Sequence, residues 1–167
     1  MKAKNNILSA TRLNRLRAQG YFNVNDSNLS EMAFGIRFAY RVCVTVLIVA
    51  IATKSIALFS IMMGMAFLGV VLPNHPFDYL YNYMLSKRMN KPKLLARSNQ
   101  LKFACTIATA WLVTVVYLMS INSITAGLVM AGALVAIAAL PSTIDLCVPS
   151  VIYNVLFKKK ENQTQTI

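Results

Sequence analysis

Four long apolar runs, separated by short polar links or by basic stretches, set the pattern of the chain. They cover residues 33–53, 55–72, 101–119 and 124–146. Crossing the hydrocarbon of a bilayer takes about 20 residues, with a range of roughly 17–25, and each run meets that length. Backbone in hydrocarbon must satisfy its own hydrogen bonds, so the runs are expected to be helices. A barrel would need alternating polar and apolar positions, which these runs lack. The links around Lys54 and across residues 120–123 are so short that each joins its two spans as an antiparallel hairpin. The expected fold is all-α: a bundle of four transmembrane helices.

The connection between the second and third runs has its own pattern. Pro73-Asn74-His75-Pro76 ends one element and starts another, with Asn74 suited to the N-cap and Pro76 to the first turn. Asp78 follows where the helix dipole favours an anion. Phe77, Leu80, Tyr81, Met84 and Leu85 recur on one helical face, with Asp78, Asn82 and Ser86 on a more polar one. Tyr79, Tyr81 and Tyr83 favour the boundary between lipid and water. Residues 76–88 therefore read as an interfacial helix on the cytoplasmic leaflet. Three parts are expected: a basic cytoplasmic arm (1–32), the membrane domain (33–157) and a basic, polar tail (158–167). Within the arm, Ser9 suits the cap of a short helix carrying Leu13 and Leu16 on one side, against anionic lipid; a solvated basic arm fits equally well. The Asn-rich stretch 23–28 reads as a turn before the first span.

Charge orients the bundle. Only 13% of residues are charged, against about 25% in a soluble domain, so the outer surface faces lipid. The net charge of +12 is concentrated in the arm, the link between spans two and three, and the tail, with Lys54 alone on the opposite side. The positive-inside rule then places both termini of this multi-pass chain in the cytoplasm. Basic residues gathered between apolar spans point to anionic headgroups and not to nucleic acid. The acid-free stretch 1–25 also has the composition of a mitochondrial presequence, but no cleavable signal is expected, because the first long apolar run begins near Phe38.

Candidate chemistry lies where polar groups meet the membrane. Arg37 and Arg41 share a face at the cytoplasmic end of span one, and Asp145 sits near the same end of span four. The arginines either reach headgroups or, for Arg41, pair with Asp145. His75 and Asp78 form His-x-x-Asp, a helix start or the beginning of a metal or proton site. One histidine and one aspartate fall short of the three or four ligands a metal requires, so no metal or other cofactor is assigned. Cys43, Cys105 and Cys147 are scattered, odd in number and within or beside apolar runs, which suits reduced thiols packed as small hydrophobes. Cys147-Val148-Pro149-Ser150 is C-x-x-S, which retains an attacking thiol without its resolving partner. Ser123, Gly127 and Ala131, and likewise Gly132 and Ala136, are spaced for close helix contact. No phosphate loop, nucleophile elbow or catalytic carboxylate pair is present, so the pattern leans away from an enzyme.

A group of these features resembles a known family. They are Val24-Asn25-Asp26, His75-Pro76-Phe77-Asp78, Leu101-Lys102-Phe103-Ala104-Cys105, and the run from Asp145 to Tyr153, in which Cys147-x-x-Ser150-x-x-Tyr153 is the most specific. Over residues 20–157 the chain resembles the bacterial four-span membrane proteins grouped as domain of unknown function 4395. Many members of that family carry cysteine where Ser150 stands, so the resemblance implies the fold more than a dithiol chemistry. The resulting expectation is a non-enzymatic accessory or scaffold component of a membrane assembly, with a membrane protein or a second copy as partner. The alternative is a thiol-linked redox or sulfur-handling protein using Cys147. Either way, His75, Asp78, Asp145, Cys147, Ser150 and Tyr153 form the candidate cluster at the cytoplasmic surface.

Overall fold

A computed structural model describes residues 7–164, with side chains through Phe157. Its elements are α1 (Ala10–Ala18), α2 (Asp26–Thr53), α3 (Ile56–Val71), α4 (Pro76–Arg88), α5 (Asn99–Ser120), α6 (Ile124–Ile144) and α7 (Val148–Thr164). Helices α2, α5 and α6 are each long and apolar enough to cross a membrane. Helix α3 has only 16 residues and reaches that length together with α4, from which it bends by 81°. The spans therefore number three, or four when the bent pair counts as one.

The hairpins are as tight as the pattern requires. Lys54 takes a left-handed conformation (φ 50°) to end α2, and the Ser55 hydroxyl accepts the Leu58 N–H at 3.3 Å to start α3. Asn122, also left-handed (φ 61°), turns α5 into α6. Leu47, Phe59, Met62, Leu112, Val115 and Leu134 fill the core among these four helices. Of the two small-residue stripes on α6, Gly127 and Ala131 are buried, whereas Gly132 and Ala136 face outward.

The first span departs from its expected start. Helix α2 begins at Asp26, inside the stretch expected to be a turn, where an acid in the first turn answers the helix dipole. At about 1.5 Å per residue, its 28 residues outrun a hydrocarbon core of about 30 Å by about two turns. That extension is covered. Leu13 and Leu16 of α1 pack with Leu29, Met32 and Ile36 of α2, with Tyr81, and with Leu94 and Leu101, as a second core. Within the basic arm, Ala10–Ala18 is thus a docked helix and not a solvated segment, and Ser9 makes no side-chain cap bond.

Helix α4 forms where expected, with three corrections. His75, not Asn74, is its N-cap: the Phe77 N–H donates to His75 Nδ1 (3.3 Å) and the His75 N–H donates to Asp78 Oδ2 (3.1 Å). Residues Tyr81–Leu85 form a π-turn, which shifts the faces that a regular 3.6-residue period would give. The polar face then turns inward. Asp78 and Ser86 are buried with Tyr81, while Tyr79, Leu80, Tyr83 and Met84 point out. Asn82 bonds both the N–H and the carbonyl of Leu94. Against lipid this is the stable arrangement, since apolar groups lose nothing by facing hydrocarbon.

The sequence pattern assigned no element after span four, but α7 follows it. The apolar part, Val148–Phe157, exposes Val151, Val155, Leu156 and Phe157 and is too short to cross. The side chains of Lys158 to Lys160 lie outside the described residues.

Candidate functional site: the polar end of the bundle

The expected cluster of six residues divides into three neighbourhoods, all at the end of the bundle where α1, the 73–98 link and the start of α7 meet. Asp145 anchors the first. It ends α6 in a left-handed conformation (φ 62°) and is fully buried. Arg37 grips its carboxylate at both oxygens, and Arg12 Nε donates to Oδ2 at 2.8 Å. Gln19 donates to the Asp145 carbonyl (2.8 Å) and Arg15 to that of Ile144 (3.0 Å). The basic partner in span one is therefore Arg37, not Arg41. Arg41 is exposed, with its guanidinium carbon 6.0 Å from the Phe34 ring centre. One helical turn decides this, because Arg41 lies deeper along α2 than the Asp145 corner.

The second neighbourhood is built on His75 and Asp78. Arg97, in the link before α5, donates through Nε to Asp78 Oδ2 at 2.6 Å and through Nη1 to the Cys105 sulfur at 3.1 Å. The Arg97 N–H is held by the Pro73 carbonyl at 2.7 Å. Both side chains of the ion pair are under 10% exposed, at 7% for Arg97 and 6% for Asp78. Burial works against the guanidinium charge, but Asp78 first and then Cys105 outweigh it and raise the Arg97 pKa. Burial, reinforced by Arg97 and opposed by Asp78, pushes the His75 imidazole down to about 4. His75 is therefore neutral near pH 7. A methyl group at Gly69 would fall 2.5 Å from His75 Cδ2 and 3.0 Å from Cys105 Sγ, so the glycine is what lets the ring and the thiol approach α3.

The third neighbourhood holds Cys147, Ser150 and Tyr153. The Tyr40 hydroxyl donates to Cys147 Sγ at 3.8 Å. Ser150 is fully buried, and its hydroxyl has no partner among the described residues. Tyr153 stacks between Phe103 (5.5 Å) and Phe157 (4.7 Å), a packing role that ties α7 to α5. Two cavities connect these groups. One of about 100 Å³ is lined by Cys43, His75, Arg97 and Cys105; the other, about 200 Å³, is lined by Cys147; Tyr40 borders both. The three thiols, remote in sequence, thus gather around one tyrosine.

The family described as a domain of unknown function (DUF4395) matches residues 33–158. The chain belongs to the DUF4395 family. No curated protein and no solved structure matches it. The region shared with DUF4395 contains Arg37, His75, Asp78, Arg97, all three cysteines and Asp145. Helix α1 with Arg12, and Gln19 at its C-cap, lie before it. The helices make the chain a membrane protein, and its assignment to DUF4395 carries no assigned activity.

Proposed function

We propose that the chain is a multi-pass protein of a bacterial cytoplasmic membrane, crossing it four times with both termini inside, and that it works through the thiol of Cys105. The observation that carries this reading is the Arg97 guanidinium 3.1 Å from the Cys105 sulfur, beside a cavity. A thiol attacks as its thiolate. The Arg97 guanidinium donates directly to the sulfur and is the polar group placed to meet charge that develops there, so the attack depends on Arg97. The thiolate attacks one sulfur of a disulfide or persulfide; the new Sγ–S bond forms as the old S–S bond breaks, and the other sulfur leaves as a thiolate that takes up a proton. Cys147, with a tyrosine hydroxyl at 3.8 Å in place of a cation, is the weaker candidate. The gathering of basic residues at the polar end supports the cytoplasmic placement.

The test uses three chains that each retain a single cysteine, in native membranes, treated with a small membrane-permeable maleimide. The Cys105 chain is expected to react fastest, to slow at least tenfold with Arg97→Gln, and to recover in part with Arg97→Lys. A Cys105 chain slower than the Cys43 and Cys147 chains rules the reading out.

A second reading, a non-enzymatic accessory component, draws support from the outward face of α4, where Tyr83 is 80% exposed beside Tyr79, Leu80 and Met84. That face suits lipid or a neighbouring membrane helix. Native electrophoresis after mild detergent extraction separates the readings, since an accessory chain migrates only with its partner.

A further inference from the structure

The two cavities are nearly one. Both are lined by Tyr40, Ala104, Ala108, Leu134 and Ala138, so little more than the Tyr40 ring and three alanines divides them. Their volumes are about 100 and 200 Å³. An apolar cavity of about 150 Å³ is enough to hold a benzene ring, so the pair together accommodates a substituted six-membered ring.

The lining states what such a ring must carry. The smaller cavity has one charged side chain in its lining, Arg97, with His75, Tyr40 and the thiols of Cys43 and Cys105 beside it. Arg97 is already engaged by Asp78 and by the Cys105 sulfur, so no unpaired cation lines the chamber to select an anionic ligand. His75 Nδ1 accepts the Phe77 N–H, which leaves the proton of the neutral ring on Nε2 as a donor. Donors without a net charge to neutralise select an uncharged acceptor such as a carbonyl. The larger cavity offers Ile107, Trp111, Ile137 and Pro141, with no charged group. The surroundings are membrane helices, so the occupant comes from the bilayer.

We propose that this divided chamber binds a lipid-soluble carbonyl compound of the quinone class, its carbonyl toward His75 and Arg97 and its apolar part along Ala108, Leu134 and Trp111. Binding requires no reaction at Cys105 and so stands apart from the thiol reading.

Trp111 is the only tryptophan of the chain, is held by its N–H to the Met130 carbonyl (2.9 Å) and lines the larger cavity. The experiment titrates the purified full-length chain, in mild detergent, with a decyl-substituted benzoquinone and follows Trp111 fluorescence. Saturating quenching is expected, weakened at least tenfold by Ala108→Phe and by Ala138→Leu, which fill the chamber, and unchanged in Arg41→Gln, which lies outside it. Decylbenzene, which has the same tail and no carbonyl, is expected not to compete. Linear quenching that is equal in the wild type and in either folded variant overturns the site, and full competition by decylbenzene overturns the carbonyl class. If neither filled variant folds, saturation and competition in the wild-type chain decide the matter.

Discussion

Arg37 and Asp145 meet as a two-point ion pair, with Nε of Arg37 donating to Oδ1 and Nη2 to Oδ2. The carboxylate is fully buried and the arginine side chain is 14% exposed. Removing one partner of a buried pair leaves an uncompensated charge and costs about 3–5 kcal/mol. Asp145→Ala and Arg37→Gln are each expected to lower stability by that order in detergent unfolding, with strong coupling in the double variant. Arg12→Gln, at a position 34% exposed, is expected to cost about 1 kcal/mol. Arg41→Gln should stay within about 0.5 kcal/mol, as surface substitutions do.

Glycine positions divide by what a methyl group would meet. Gly69→Ala drives a carbon into His75 and Cys105, and Gly35→Ala drives one to 2.6 Å from the Tyr81 ring. Each is expected to lose about 1–3 kcal/mol, as overpacked cores do. Gly64→Ala and Gly132→Ala meet nothing within 4 Å and should hold or gain stability. Thermal unfolding of the four single variants checks the ordering.

His75 makes stability depend on pH. Its folded pKa, about 4, lies below the ordinary value of 6.5, so between those values the unfolded chain binds the extra proton. The stabilisation is present above pH 6.5 and is lost as pH falls toward 4. At pH 5 the loss amounts to about 2 kcal/mol. Melting curves at pH 7.5 and pH 5 should show the drop in the wild type and a smaller one in His75→Asn, which retains a capping side chain. Equal drops in the two chains would assign the effect elsewhere.

Orientation is open to direct labelling. In a chain with all three native cysteines replaced by alanine, Lys54→Cys is expected to react with an impermeant maleimide in intact cells. Lys93→Cys should react only after permeabilisation. The reverse pattern inverts the bundle.

The spans were legible because hydropathy alone marks them, and α2, α5 and α6 differ from their runs mainly at the ends. The helix over 76–88 was legible from Pro76 and Asp78, but its inward face was not. A π-turn carries no period of its own, and the rule that polar faces point outward fails beside lipid. Asp78 and Asp145 were singled out; Arg97, Arg12, Tyr40 and Cys105 were missed as parts of the site. The signal that would have found the arginines is scarcity: with five acidic residues against 17 basic ones, each buried acid must select a base, and Asp78 and Asp145 each hold an arginine, as does the exposed Asp26. Which base is chosen depends on long-range packing, which spacing does not encode. The meeting of three thiols around Tyr40 is of the same kind.

The docking of α1 bears on the order in which the chain assembles. The Asn154 amide donates to the Ala18 carbonyl (2.7 Å) and Gln19 to that of Asp145 (2.8 Å), partners 136 and 126 residues apart. Helix α1, made before the spans, therefore waits for the last span before these bonds at its end can form. Chains that stop short of residue 145 lack both of these latches and hold the end of α1 only through nearer partners such as Ser98, so full closure of that end reports that the last span is in place.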